Sequence, residues 1–345
     1  MYRRISHLFF PDPAMWIAMI SMGLLLAVWS YLTDFSITFG GDPTIFYLVG
    51  AGITVGVVYH KRSPGMATFG FCFGLFMLMA VILRPLSYLA VSEQFAIIDP
   101  VLAQIDRFIG FDWNAHIGWV NERPVLLGML QWAYDSLVLQ LVFIFTVFYV
   151  TANYERLREF IMVFFIMGFV TTILVTFFPA AGASYIYQPG ADLMTNMASV
   201  PGSYSLEHFF GLHNGDINSV TITNSIGLIT FPSFHTEAAV LYIWAVRRTI
   251  MFWPSFVLNV LMIISTISIG GHYIIDLVAG IALTMVVAYV YGLWAGRYRL
   301  SLTTPRVHAI ADATGFEPGV PVIDQIRTVL SRSTAKPVQA KAEQS

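Results

Sequence analysis

The sequence contains one cysteine and few charged residues, and each shortage excludes a class of protein. Cys72 stands alone among 345 residues, which excludes an intramolecular disulfide and a site in which several cysteines hold zinc. Only 11% of the residues are charged, whereas soluble domains contain about 25%. Hydrophobic residues make up 57% of the chain and form runs longer than a buried core helix needs. These features predict an integral membrane protein.

The apolar runs predict an all-α integral membrane fold with about eight transmembrane helices. A helix rises 1.5 Å per residue, so about 20 residues cross a bilayer. No small-residue cleavage site follows the short basic start of the chain, so the first run is expected to be a membrane helix. We predict helices at residues 14–32, 43–59, 66–90, 126–150, 160–178, 233–246, 252–269 and 273–294.

The basic residues indicate how these helices are oriented. Of the 18 Lys and Arg residues, all but Arg84, Arg107 and Arg123 fall on one side of the predicted arrangement. Loops rich in Lys and Arg generally face the cytoplasm. Both termini are therefore expected to be cytoplasmic, and the connections after the first, third, fifth and seventh helices are expected on the opposite, outer face.

Three parts are predicted along the chain. Residues 1–65 would form the cytoplasmic N-terminus and two accessory helices, residues 66–300 a core of six helices, and residues 301–345 a cytoplasmic, mostly disordered tail with a short helix around 322–330. Residues 91–123 have apolar residues at helical spacing with acids between them, which predicts an amphipathic helix on the outer surface. Residues 180–230, rich in Gly, Ser and Asn, are expected to form an outer cap or a partly re-entrant loop.

Two polar clusters, FPSFH at residues 231–235 and GGHYIID at residues 270–276, begin the sixth and eighth predicted helices. The chain crosses the membrane between them twice, so both clusters are expected on the outer face. Ser233 is a natural helix N-cap, and Gly271 permits a close backbone approach. Helix starts with free backbone N–H groups bind phosphate, so Ser233 and Gly271 are candidate phosphate-binding residues.

His272 and Asp276 are four residues apart and therefore share one helical face. A carboxylate in that position accepts from one ring nitrogen and makes the other a better nucleophile. His235 comes from the other cluster and could give a proton to a departing oxygen. A single interfacial histidine is more often only hydrogen-bonded, but a carboxylate inside a span is costly and usually functional. The three residues together predict a catalytic site, whereas Ser233 alone could be only a cap and Gly271 only a packing glycine.

Two other protein classes stay open from these residues. His235 and His272 could be the axial ligands of a haem, which an absorption band of the purified protein would reveal. Asp276 and Asp135, an acid in the fourth predicted helix, could form the proton relay of a transporter. Asp135 could otherwise line a substrate cavity or pair with a neighbouring hydroxyl.

The segments FPSFHTEAA and GGHYIIDLVAG resemble the second and third signature motifs of the type-2 phosphatidic acid phosphatase superfamily. They are more similar to its inositol phosphorylceramide synthase-like branch, in which FPS-x-H and HY-x-x-D are typical. The resemblance implies a six-helix catalytic core and a lipid phosphatase or phosphotransferase that needs no metal and no cofactor. It also implies that His272 forms a phosphohistidine, Asp276 orients it, His235 protonates the leaving group and Ser233 contacts the phosphate.

Basic residues of the phosphatase pattern are missing from their usual places. Thr266 stands where that pattern has an arginine six residues before the nucleophilic histidine, and FFPAAGASYIYQ, residues 177–188, contains no basic residue where the first motif would lie. A transferring phosphoryl group needs electrostatic stabilisation. Arg84, near the outer end of the third predicted helix, is the candidate replacement; the alternative is an arginine that snorkels to lipid headgroups.

We therefore predict a multi-pass membrane enzyme whose active site lies on the extracytoplasmic side, of a plasma or inner membrane if the protein is bacterial. Water as the acceptor would make it a lipid phosphate phosphatase, and an alcohol or sphingolipid acceptor would make it a synthase. The missing basic residues and the synthase-like motifs favour transfer. The expected partners are a lipid phosphate or phospholipid substrate and the bilayer, without nucleic acid; the sequence does not fix the oligomeric state.

Overall fold

The computed structural model describes residues 13–302, and their regular structure is almost entirely helical. The chain divides into one compact unit up to Ala288 and a second from Tyr289, of which only the end of the last helix is described. The predicted tail beyond residue 302 lies outside the described residues. The helices are α1 (Pro13–Leu32), α2 (Thr44–Tyr59), α3 (Pro64–Ser92), α4 (Asp99–Phe108), α5 (Trp113–Asn121), α6 (Pro124–Asp135), α7 (Leu137–Val150), α8 (Tyr154–Phe177), α9 (Ala183–Tyr187), α10 (Leu206–His213), α11 (Phe234–Ala245), α12 (Phe252–Ser268) and α13 (Ile274–Leu302).

Several of these helices can cross a membrane. Four of them, α1, α3, α8 and the Ile274–Ala295 part of α13, are long and apolar enough to do so. The pair α6 and α7 is a fifth candidate, and α2 and α12 are apolar but shorter. Helices are present at all eight predicted positions, and the chain is an all-α membrane protein. The number of spans stays a prediction.

The fourth predicted helix, residues 126–150, is two helices, α6 and α7, which meet at Ser136 with a bend of 53°. The Ser136 hydroxyl donates to the carbonyl of Ala133 at 2.7 Å and accepts from the Gln140 amide at 3.0 Å. A serine that bonds back to the preceding turn bends a helix, which accounts for the break. The bend redirects the last turn of α6, which contains Tyr134.

Glycines spaced four residues apart join α2 to α3. A Cβ added to Gly52 would lie 2.5 Å from the backbone nitrogen of Gly74, and one added to Gly70 would lie 2.6 Å from that of Gly56. Small residues at this spacing let the backbones of membrane helices approach closely. This contact holds a predicted accessory helix against α3.

The predicted amphipathic segment 91–123 contains two helices, α4 and α5, and its acids do not all face outward. Asp99 and Asp106 on α4 are fully buried, whereas the side chain of Phe108 is 91% exposed. The two acids are seven positions apart, so they lie on one helical face. Buried carboxyl groups need hydrogen-bond donors, and their donors lie at the start of α13 and in the 180–230 segment.

The segment 180–230 is folded and packed. It contains α9, α10 and a strand, β2 (Ser219–Thr221), which pairs in parallel with β1 (Ser36–Thr38) after α1. Its apolar residues share a buried cluster with the end of α3. That cluster includes Phe35, Leu89, Phe209, Leu212 and Val220. The predicted cap is therefore attached both to α3 and to the connection between α1 and α2.

Candidate active site

His272 lies in the turn between α12 and α13, and Asp276 lies in the first turn of α13. The ring nitrogen Nδ1 of His272 is 3.1 Å from Asp276 Oδ2, and both side chains are buried. The same oxygen accepts the backbone N–H of Tyr273 at 3.0 Å, so the carboxylate also caps its own helix. The tautomer that donates from Nδ1 leaves the lone pair on Nε2.

His235, the second residue of α11, stacks against Tyr134 of α6. Their ring centroids are 4.0 Å apart and the ring planes differ by 13°. The imidazoles of His235 and His272 are near enough for a charge on one to act on the other. A Cβ added to Gly270 would lie 3.1 Å from the Tyr134 ring and 2.8 Å from His272 Cδ2. The structure therefore brings His235, His272 and Asp276 into one cluster, together with Tyr134.

Ser233 is the N-cap of α11 and is fully buried. Its hydroxyl accepts the backbone N–H of Thr236 at 3.5 Å, and its own N–H donates to the carbonyl of Asp276 at 3.2 Å. These bonds join the start of α11 to the start of α13. The capping role expected from the sequence is present, and contact of Ser233 with phosphate stays a prediction.

Gly271 lies where backbone segments cross beside His272. It has a φ of +70°, and an added Cβ would lie 2.5 Å from the carbonyl oxygen of Pro201. Gly202 also has a positive φ, and its Cβ would lie 2.5 Å from the carbonyl oxygen of Gly270. The Gly271 carbonyl accepts the N–H of Ala183 at 2.7 Å. Only glycine adopts this backbone without strain, so the turn before His272 requires glycine for packing.

Every residue from His272 to Ile275 forms a hydrogen bond to α4 or α5. The Trp113 indole donates to the His272 carbonyl at 3.3 Å, the Tyr273 hydroxyl donates to Asp99 at 3.0 Å, and the backbone N–H groups of Ile274 and Ile275 donate to Asp106 at 2.9 and 3.4 Å. The α4–α5 segment (residues 99–121) therefore surrounds the turn that contains His272.

These bonds change one expectation from the sequence, which predicted free N–H groups at the starts of both helices. At α13 the carboxylates of Asp106 and Asp276 accept hydrogen bonds from the N–H groups of Tyr273, Ile274 and Ile275. The positive end of the helix dipole favours an anion there, and the protein supplies that anion itself. Burial raises the pKa of Asp99 and of Asp106 above the usual range, although the bonds that they accept oppose the rise.

The part of the chain that contains this cluster matches a known protein family. The family described as the PAP2 superfamily matches residues 100–290, which is more than half of the chain. The chain belongs to the PAP2 superfamily. Its members are generally phosphatases or phosphotransferases. No curated protein and no solved structure matches the chain significantly.

The PAP2 match covers residues 100–121 of the α4–α5 segment together with His235 and His272, but it begins after α1–α3. Thr266, at the position of the missing arginine, accepts the N–H of His272 with its carbonyl at 3.2 Å. None of the salt bridges among residues 13–302 joins an arginine or lysine to the buried aspartates or to the two histidines. Within the same range, no group of three or more His, Cys, Asp or Glu residues could hold a metal ion.

Arg84 and Asp135 are the other two candidate residues of this PAP2 protein. Arg84 is exposed on α3, and its charge acts on Tyr88, one turn later. Its contact with phosphate stays a prediction. Asp135 is exposed and accepts the Gln131 amide at 2.9 Å, so it pairs within its own helix.

Sequence reasoning missed several residues around this site. Asp99 and Asp106 have a visible signal, because acids seven residues apart lie on the same face as Leu102 and Ala103. Tyr134 has none, since its position depends on the bend at Ser136. Glu237, inside α11, is fully buried, and the Thr171 hydroxyl lies 2.9 and 2.8 Å from its two carboxylate oxygens. An acid within an apolar helix was the signal for it.

Proposed function

We propose that this protein is a membrane enzyme that transfers a phosphoryl group or a phospho-headgroup from a lipid-linked phosphate through a phosphohistidine on His272. The observation that carries the proposal is the buried pair of His272 Nδ1 and Asp276 Oδ2, 3.1 Å apart, with a second histidine close by. A carboxylate that holds Nδ1–H leaves Nε2 as the nucleophile. Membership of the PAP2 superfamily supports the same class of reaction.

The reaction would proceed in two steps. In the first, Nε2 of His272 forms a bond to phosphorus, the bond from phosphorus to the leaving oxygen breaks, and His235 gives that oxygen a proton. In the second, the oxygen of the acceptor attacks phosphorus, the phosphorus–nitrogen bond breaks, and the acceptor's proton passes to His235. The proton stays on Nδ1 throughout. The Asp276 carboxylate accepts its hydrogen bond and stabilises the positive charge on the ring, as in other carboxylate–histidine pairs.

The charges around His272 favour a phosphodiester substrate over a phosphomonoester. Three carboxyl groups, those of Asp99, Asp106 and Asp276, lie around this turn, and no arginine or lysine of residues 13–302 forms a salt bridge with them. A phosphomonoester carries about −1.5 to −2 charges at pH 7, whereas a diester carries one. No described cation therefore compensates the second negative charge of a monoester, and burial of an uncompensated charge is costly. These charges support transfer of a phospho-headgroup, which the resemblance to the inositol phosphorylceramide synthase-like branch also implies.

The decisive experiment uses the purified protein with phosphatidate, a prenyl diphosphate and a phosphoinositide, each labelled at phosphorus and supplied with and without an alcohol acceptor. We expect turnover and an acid-labile, alkali-stable label on the protein, both abolished by His272→Ala. His213→Ala is the control. His213 is the last residue of α10, and its imidazole lies 2.9 Å from the carbonyl oxygen of Phe95. Undiminished turnover by the His272→Ala variant would exclude the phosphohistidine.

The products of the same assay separate the two acceptors. Transfer of label to the added alcohol identifies a transferase, and release to water alone identifies a lipid phosphate phosphatase. Arg84→Ala tests the candidate replacement for the missing basic residues: we expect weaker phosphate affinity if its guanidinium reaches the headgroup. Full activity and affinity in this variant would show that Arg84 is not part of the phosphate site.

We infer that the site faces the extracytoplasmic side, because nearly all Lys and Arg residues fall on the other side of the predicted arrangement. Cys72 is the only cysteine, so a Cys72→Ser background permits single-cysteine labelling. In intact cells, a membrane-impermeant maleimide should label Glu207→Cys on α10 and spare Lys61→Cys between α2 and α3; both native residues are exposed. The reverse pattern would place the site in the cytoplasm.

A further inference from the structure

We propose that Asp106 of α4, supported by Asp99, is a positioning residue that holds the imidazole of His272 in its reactive orientation. The inference rests on the function proposed above, since it assigns a role to two carboxyl groups beside the same histidine. Neither carboxyl group takes part in the proton or phosphoryl transfers described there.

Asp106 joins α4 to the start of α13. Its side chain is fully buried, and its two oxygens accept the N–H groups of Ile274 and Ile275 at 2.9 and 3.4 Å. Its backbone carbonyl accepts the N–H of Phe111 at 2.9 Å, which closes the turn between α4 and α5. The first turn of α13 is therefore capped by a residue from a different helix, and its position relative to α4 is fixed.

Asp99 makes the second connection. It is fully buried and accepts three hydrogen bonds, from the N–H groups of Ala181 and Gly182 at 2.8 Å each and from the Tyr273 hydroxyl at 3.0 Å. The N–H of Ala183 in turn donates to the Gly271 carbonyl. The residues on both sides of His272 are thus tied to α4, on one side directly and on the other through residues 181–183.

The arrangement exceeds what capping of α13 requires. A local Ser, Thr, Asp or Asn could cap the helix, whereas a buried carboxylate that lacks a cation is costly unless it is well hydrogen-bonded. What the carboxylates on α4 add is a fixed location for the turn that contains His272. Displacement of a reacting group by about 1 Å can reduce a rate by about 100-fold, so such fixing has a direct catalytic consequence.

The closing experiment compares Asp106→Ala, Asp106→Asn and Asp42→Ala. Asp42 is the matched control, because its carboxylate accepts the N–H of Thr44, the first residue of α2, at 2.9 Å. The measurements are kcat and KM of each folded variant, its melting temperature, and the rate at which diethyl pyrocarbonate modifies His272, followed by mass spectrometry of the peptide that contains it.

We expect Asp106→Ala to lower kcat by about 10- to 100-fold with KM changed less than about threefold, since misplacement affects the reacting group and not the binding of lipid. The asparagine variant should recover most of kcat, because an amide oxygen still accepts the N–H of Ile274. Asp42→Ala should lose stability and keep kcat. A kcat of folded Asp106→Ala within about twofold of the wild-type value, or an equal loss in Asp42→Ala, would overturn the proposal.

Modification of His272 separates this inference from the proposed function. If the wild-type protein turned over no lipid phosphate, the proposed function would fail, but the reactivity of His272 would still be measurable. The inference predicts that Asp106→Ala changes the rate of His272 modification by about fivefold or more, a shift of about 1 kcal/mol in barrier, and that Asp42→Ala leaves it unchanged. An unchanged rate in Asp106→Ala would reject the positioning role regardless of activity.

Discussion

The ring of Tyr134 lies parallel to the imidazole of His235, 4.0 Å away between centroids. A stacked ring fixes the plane of the imidazole and therefore the direction in which its nitrogens point. General acid catalysis requires that the donor nitrogen lie within hydrogen-bond reach of the departing oxygen. Tyr134 occupies this position because the helix breaks at Ser136, two residues later.

Removal of the Tyr134 ring should therefore impair proton transfer while leaving the fold intact. We expect Tyr134→Ala to lower kcat by about 10- to 100-fold, a part of the roughly 10²- to 10⁴-fold that general acid–base catalysis contributes, and Tyr134→Phe to stay within about threefold of the wild-type value. Tyr149→Ala is the control, because Tyr149 on α7 packs against Phe69 with ring centroids 5.0 Å apart. Wild-type kcat in the Tyr134→Ala variant would contradict a role of the stack.

Gly271 provides a second test, because the structure assigns it a packing role and the sequence suggested phosphate contact. Gly271→Ala should cost about 1–3 kcal/mol for a left-handed backbone at a non-glycine residue, and the clash with the Pro201 carbonyl adds to that cost. A lower melting temperature together with lost turnover is expected. Gly227→Ala is the control, since nothing lies within 4 Å of its added Cβ. A stable Gly271→Ala variant with weakened phosphate affinity would favour phosphate contact instead.

The local sequence was sufficient to predict the helices and the pairing of His272 with Asp276. A run of apolar residues predicts a membrane helix by its length alone, and residues four apart on a helix must share a face. The meeting of His235 with this pair was also predictable, because two successive helices, α11 and α12, can return the chain to the level at which α11 begins. The same counting could not determine that α6 and α7 are separate helices, since the break depends on how the Ser136 hydroxyl bonds.

The contacts of the α4–α5 segment could not be predicted from the sequence for a different reason. The spacing of Asp99 and Asp106 gives a helical face, but it does not tell whether that face meets water or protein. The structure buries the face with the two acids and leaves Phe108 uncovered by protein, which the spacing alone could not decide. Tertiary packing determines which face is buried, and here the buried acids accept hydrogen bonds from the start of α13 and from residues 181–182.

The close contact between α2 and α3 predicts a large effect of side-chain size at one glycine. Gly52→Val should separate the two helices, because its Cβ would already lie 2.5 Å from the backbone of Gly74. We expect a lower melting temperature in detergent, from a loss of about 1–3 kcal/mol in stability, the typical cost of overpacking. Gly50→Val, two residues away on the same helix, should be tolerated because nothing lies within 4 Å of its Cβ. Equal stability of the two variants would show that the glycine contact is not required.

The dependence of stability on pH gives a last test, through Asp99. Burial raises its folded pKa above the ordinary value of 3.8, so between these two values the folded protein binds more protons than the unfolded chain. The free energy of unfolding should therefore fall as pH rises from about 3.8 through the folded pKa, and acidification through that window should stabilise the protein.

Asp99→Asn removes this titration, so its melting temperature should gain less than that of the wild-type protein when the pH is lowered from about 7.5 to 4. Asp42→Asn is the control with the opposite sign. Hydrogen bonds from the Thr44 side chain and backbone lower the pKa of Asp42 below 3.8, so its contribution is lost only at more acidic pH. Across the measured range the slope for Asp42→Asn should match that of the wild-type protein. Parallel curves for Asp99→Asn and the wild-type protein would mean that Asp99 is ionised as readily in the folded as in the unfolded chain, and that its hydrogen bonds from Ala181, Gly182 and Tyr273 fully offset its burial.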